Sequence, residues 1–157
     1  MDYKVTTYSE EETINLAQNI ESEKFPNMVI CLQGDLGSGK TVFTKGFARA
    51  MEIEEEVTSP TFNIIKEYTS GEIPLYHMDV YRLDGKLGDL DIEEYYTKKG
   101  VTIIEGSDMI EQYLPNNRLD IKIKISSEDE DKRIIIITPH GKKYEELCEA
   151  VLWEFYI

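Results

Sequence analysis

Cysteine, histidine and arginine are scarce in this chain, and each scarcity excludes something. The 157 residues hold two cysteines and two histidines. Cys31 sits in an apolar run and Cys148 in a helical pattern, without the spacing of a metal-binding or disulfide framework. Both are therefore expected reduced and buried, and no Cys- or His-based metal site is read. The four arginines, Arg49, Arg82, Arg118 and Arg133, are not clustered. No Pro/Gly/Ser-rich linker, repeat or low-complexity stretch divides the chain, so one domain over 1–157 is expected. Apolar runs such as Met28–Leu32 and Ile134–Ile137 are far too short to span a bilayer. The opening MDYKVTTYSEEE lacks the basic start and apolar core of a secretion signal. No membrane association and a cytoplasmic location are expected.

Positive charge is also short. Seventeen Lys and Arg face thirty-one Asp and Glu, a net charge of −14. Such a surface repels phosphate backbones and disfavours unaided binding of DNA or RNA. It suits a basic protein partner, and equally it serves solubility alone. Any site for an anion must overcome this field with local donors.

Hydrophobic periodicity gives the order of elements. Thr7–Lys24 reads as a helix, with Ser9 and Glu12 forming a capping box and Ile14, Ala17 and Ile20 at helical spacing. Met28–Gln33 reads as a strand covered on both faces. Thr41–Met51 follows as a helix with Val42, Phe43, Phe47 and Ala50 inward. Phe62–Tyr68 and Pro74–Val80, joined by a turn at Gly71, predict an antiparallel hairpin. Leu87–Gly100 predicts a helix stopped by Gly100, with Tyr95 and Tyr96 half-buried. Val101–Glu105 is a further buried strand. Leu119–Ser126 and Lys132–His140 predict a second hairpin across an acidic turn, and Lys143–Phe155 a closing helix with Leu147, Val151, Leu152 and Trp153 as its packing face. The sum is a three-layer α/β domain with a mixed parallel and antiparallel sheet.

The segment Gly34-Asp35-Leu36-Gly37-Ser38-Gly39-Lys40-Thr41 fits the phosphate-loop pattern G-x-x-x-x-G-K-[ST]. Gly34 and Gly39 let the backbone curl so that amide N–H groups point at phosphate oxygens. The following helix adds the positive end of its dipole. Lys40 supplies an ammonium for the β- and γ-phosphates, and the Thr41 hydroxyl suits Mg²⁺. Chance alone gives such a match about 0.5% of the time in a chain this long, and an apolar strand before the loop with an amphipathic helix after it lowers that further. A nucleoside triphosphate with Mg²⁺ is expected here.

Such a loop needs an acid for the metal and a group to orient the attacking water. Glu105 and Asp79 both end apolar strands and are the candidates. Thr61, in SPTF, is either a switch residue near the γ-phosphate or part of a plain turn at Pro60, and taken alone the turn is the better reading. His77 reads as a packed or hydrogen-bonded strand residue. Arg82 either reaches phosphate, holds Asp79, or faces solvent. A small-molecule kinase would need several arginines in a lid, which this sequence does not offer.

GDLGSGKT, VTSPTF, YHMDVYRL and an apolar strand ending in glutamate, in this order, resemble the TsaE family of tRNA threonylcarbamoyladenosine biosynthesis ATPases. The resemblance runs over nearly the whole chain. It implies a P-loop NTPase-like fold and a small Mg²⁺-dependent ATPase that works with TsaB-like and TsaD-like proteins, meeting tRNA only indirectly through that complex. It implies that Gly37, Ser38, Gly39, Lys40 and Thr41 contact phosphates and that Thr41 and Glu105 hold Mg²⁺. By the same resemblance Lys40 and Asp79 would carry the catalysis, Asp79 by activating or positioning water. Thr61 belongs to a switch, and Glu11 in the segment Ser9–Thr13 approaches the base. One residue departs from the family pattern: Gly106 follows Glu105 where relatives usually carry Trp.

Overall fold

A computed structural model describes residues 1–35, 37–58, 60, 64–81 and 91–157. Seven strands form one sheet in the order β1-β7-β6-β2-β5-β4-β3. They are β1 Tyr3–Thr7, β2 Val29–Gln33, β3 Ile65–Tyr68, β4 Leu75–Asp79, β5 Val101–Glu105, β6 Arg118–Ile125 and β7 Arg133–His140. The core β6-β2-β5-β4 is parallel. The edges are antiparallel, β3 on β4, and β7 then β1 beyond β6. Both predicted hairpins form, and they make the sheet mixed, as expected.

The strand β1 is not anticipated by the sequence pattern. It alternates, with Tyr3, Val5 and Thr7 buried, and it pairs along β7 from Tyr3↔Ile137 to Thr7↔Arg133.

Side chains along a strand alternate between faces, and the two faces gather separate clusters. Ile30, Leu32, Leu75, Val101 and Ile103 pack with helices α1 (Glu10–Glu21), α2 (Lys40–Ala50) and α4 (Lys142–Leu152). Val29, Cys31, Tyr76, Met78 and Ile104 pack with the one-turn helix α3 (Ile92–Tyr95) and the 3₁₀ segment Ser107–Tyr113. The sheet is thus the middle of three layers. Among the described residues no helix is long and apolar enough to cross a membrane.

Two expected elements are shorter than predicted. Of the helix expected over Leu87–Gly100, residues 87–90 lie outside the described residues, and the rest makes only the single turn α3. The amides of Tyr96, Thr97 and Lys98 bond three residues back, to Glu93, Glu94 and Tyr95, so the chain tightens into turns instead of extending an α-helix. Tyr95 and Tyr96 are half-buried as expected. At the other end, α4 stops at Leu152, whose φ/ψ of −128°/11° breaks the helical period. Trp153 therefore leaves the packing face and is 71% exposed, while Leu147 and Leu152 remain buried.

Candidate functional site

Parallel strands leave the loops at their carboxyl ends clustered along one edge, where ligands of such sheets bind. Here that edge carries the loop after β2, Asp79 at the end of β4 and Glu105 at the end of β5. Glu105 is in register with both Leu32 of β2 and Asp79 of β4. His77, Asp79 and Glu105 share the parity of Leu75 and Ile103, so they face the helix layer that holds α2.

The loop is tightly wound. Ser38 N–H donates to Asp35 O at 3.0 Å and closes a turn. Gly37 and Gly39 have φ of 82° and 113°, and α2 begins directly at Lys40. Gly34 admits no side chain: a Cβ there would strike the Ile123 carbonyl of β6 and lie 2.7 Å from Ser38 Oγ. The Lys40 ammonium is folded back over its own loop, 2.5 Å from Gly34 O and 3.2 Å from Asp35 O. Thr44 Oγ1 donates to Lys40 O at 3.0 Å, tying the first turn of α2.

Below the loop, Thr41 Oγ1 donates to Glu105 Oε1 at 3.3 Å. The other oxygen, Oε2, is bonded to His77 Nε2. Glu105 is 3% exposed and His77 wholly buried. Asp79, half-buried, accepts at Oδ1 from Tyr81 N–H at 3.1 Å.

Two observations bear on whether a triphosphate and Mg²⁺ suit this place. Ser38 Oγ is buried and has no hydrogen-bond partner among the described residues, an orphan that an acceptor oxygen would satisfy. The Thr41 and Glu105 oxygens, 3.3 Å apart, lie near the about 2.9 Å edge of an octahedron with Mg–O bonds of about 2.05 Å. No group of three or more His, Cys, Asp or Glu suited to a metal occurs among the described residues. One carboxylate and one hydroxyl, with phosphates and water completing the shell, is how Mg²⁺ is ordinarily held. The residues fit both groups.

A cavity of about 110 Å³ adjoins the loop, lined by Ser9, Glu10 and Thr13 of the α1 start, by Gly37–Gly39, and by Arg133. Glu11 is exposed on the first turn of α1 and does not line it. A larger cavity of about 470 Å³, bounded by Phe25, Tyr96, Asn117 and Tyr144, holds none of the expected residues; the described ones gather instead around the loop and at the ends of β4 and β5. Thr61 and Arg82 lie outside the described residues, as does Leu36 within the loop.

Of two further neighbours, His77 is the packed and hydrogen-bonded strand residue that was expected, and Arg133 escapes the sequence pattern. His77 was readable, since it precedes Asp79 by two and must share its face. Arg133 gave no signal: it stands 95 residues from Ser38, yet its Nε donates to Ser38 O at 2.7 Å.

The family profile described as "Threonylcarbamoyl adenosine biosynthesis protein TsaE" matches residues 7–135. The chain belongs to the TsaE family. It is 48% identical to the tRNA threonylcarbamoyladenosine biosynthesis protein TsaE of Bacillus subtilis over 94% of this chain and 92% of that one. The TsaE of a Nostoc species is 37% identical over 87% and 85%. The crystal structure of YdiB from Bacillus subtilis superposes with a TM-score of 0.82 at 41% identity, covering 98% of this chain and 96% of that one. The fold is accordingly that of a P-loop NTPase, and the family ties the chain to tRNA threonylcarbamoyladenosine biosynthesis.

Proposed function

We propose that this TsaE-family chain hydrolyses ATP in support of tRNA N6-threonylcarbamoyladenosine formation. The observation that carries the reading is the contact between Thr41 and Glu105 beneath a curled phosphate loop. The loop amides and the α2 dipole receive the β- and γ-phosphates. Lys40 exchanges the carbonyls of Gly34 and Asp35 for phosphate oxygens. Thr41 and Glu105 hold Mg²⁺, which when bound neutralises charge on those oxygens. Asp79 orients a water on the γ-phosphorus; its oxygen forms the new P–O bond as the bond to the bridging oxygen breaks, releasing ADP and inorganic phosphate.

Among the described residues no arginine is placed to complete the charge, Arg49 lying in the last turn of α2, at the far end from the loop. Among the described arginines, Arg118 pairs with Asp120 and Arg133 with loop carbonyls, which also weighs against a kinase lid. Turnover by the isolated chain should therefore be slow. We place it in the cytoplasm with TsaB-like and TsaD-like partners, which complete the site and carry the tRNA, since a net charge of −14 opposes direct RNA binding. Phosphate release is measured for the chain alone, and with the two partners and tRNA. A rise on the order of 10³-fold or more with partners supports the reading, by the worth of a missing arginine in other P-loop enzymes. Fast hydrolysis by the chain alone, or transfer of labelled phosphate to an organic acceptor, contradicts it.

A further inference from the structure

Arg133 stands on the first residue of β7, and its guanidinium is spent on backbone carbonyls. Nε donates to Ser38 O at 2.7 Å and Nη2 to Gly37 O at 3.4 Å. Nη1 donates to Glu130 O and, at 3.3 Å, to Lys132 O. One planar fork thus joins the phosphate loop to the turn between β6 and β7.

The consequence follows from peptide geometry. In a trans peptide the C=O of one residue and the N–H of the next point in opposite directions. Fixing the carbonyls of Gly37 and Ser38 on Arg133 therefore turns the N–H groups of Ser38 and Gly39 away from it. The Ser38 N–H is taken by Asp35 O and closes the turn. The Gly39 N–H is left facing away from β7, at the residue where the positive end of α2 begins. Gly37 and Gly39 have no Cβ to resist peptide rotation, and a Cβ at either would meet nothing within 4 Å. With open space beside both glycines, the Arg133 fork and the Ser38–Asp35 hydrogen bond are what set these two peptides.

We propose that Arg133 is a positioning residue that sets the peptide planes of Gly37–Ser38 and Ser38–Gly39, so that the loop presents the Gly39 amide to phosphate without rearranging. A guanidinium suits the task because it offers several N–H donors in a rigid plane, whereas an ammonium is a point charge on a flexible stem. The claim about loop shape stands on the contacts above; its consequence for affinity rests on the nucleotide-binding reading.

The test compares wild type with Arg133→Gln and Arg133→Lys. Amide hydrogen exchange of Ser38 is followed by NMR without nucleotide, and ADP affinity by calorimetry with Mg²⁺. In Arg133→Gln we expect exchange at the Ser38 amide, which is bonded to Asp35 O, to quicken at least tenfold, with strands β2 and β5 unchanged, and ADP affinity to fall at least tenfold. Arg133→Lys should fall between the two, and it decides the matter should Arg133→Gln not fold. Unchanged exchange at Ser38 overturns the proposal even if ADP binds more weakly, because Arg133 would then act on the ligand directly. If wild type binds no ADP, the nucleotide reading fails while the exchange comparison still decides the role of Arg133.

Discussion

His77 holds Glu105 from below: its Nε2 is bonded to Glu105 Oε2, and the opposite oxygen Oε1 accepts from Thr41. The imidazole is wholly buried, and its Nδ1 has no partner among the described residues. The carboxylate is thereby fixed in one orientation before any metal arrives. If Glu105 holds Mg²⁺ as proposed, a partner of this kind is worth about 10–100-fold in metal affinity. In His77→Phe, the Mg²⁺ concentration needed for half-maximal nucleotide binding should rise by about that factor. A titration indistinguishable from wild type would show that Glu105 needs no such support.

Asp79 lies outside the Thr41–Glu105–His77 chain and is bonded to Tyr81 N–H. Asp79→Ala should therefore bind nucleotide and Mg²⁺ normally and hydrolyse about 10²–10⁴-fold more slowly, the usual range for a positioned acid–base group. Single-turnover hydrolysis with saturating partners measures this. If this variant still supports repeated rounds of tRNA modification, nucleotide binding alone drives the cycle and the chain is a switch.

Gly106 has φ +81°, and a Cβ there would meet Tyr81 N at 2.9 Å and Tyr81 Cβ at 3.0 Å. Glycine suits this place because the strand end turns sharply and closes on the backbone that donates to Asp79. Gly106→Ala should lose about 1–3 kcal/mol of stability, the usual strain of a side chain in this region, read as a lower urea midpoint. An unchanged midpoint would mean that the turn relaxes freely.

Burial pushes the thiol of Cys148 up to about 12, with Glu145 adding to the effect. Burial likewise raises the Tyr144 hydroxyl to about 12, against a hydrogen bond from Val29 N–H that lowers it. Both groups release protons in the unfolded chain at lower pH than in the folded one. The stability they contribute is complete below about pH 9 and is lost as pH rises toward 12. Stability measured by denaturant should fall across that window. Cys31, also buried and raised by burial, should join Cys148 in resisting thiol reagents at pH 8 until the chain unfolds. Rapid labelling of the native protein would contradict this.

Much of this was legible in the sequence because it is local. The phosphate loop, the buried run of β2 and the strand-ending acids announce themselves within a few residues. Glu105 and Asp79 were chosen as candidates by placement alone, and the sheet sets them side by side. The capping box was nearly right: Ser9 accepts from Glu12 N, but Glu12 reaches back to Tyr8 N. What the sequence hid depends on distant partners. Strand β1 is short and carries two threonines, and it becomes a strand only because β7 offers it an edge. Trp153 follows a helical pattern that the backbone abandons one residue earlier. Arg133 meets Ser38 only after the sheet has brought β7 beside the loop.

The central claim is that the loop of Gly34–Thr41 is a cradle for a Mg-nucleotide. It is tested most directly by calorimetric titration of a non-hydrolysable ATP analogue into wild type and Lys40→Ala, each with Mg²⁺ and with a chelator. We expect one site per chain in wild type, weakened when Mg²⁺ is removed, and weakened by about 10–100-fold in Lys40→Ala, as for loss of a charge-assisted bond of about 1.5–3 kcal/mol. No binding by wild type, or equal affinity in Lys40→Ala, would contradict it.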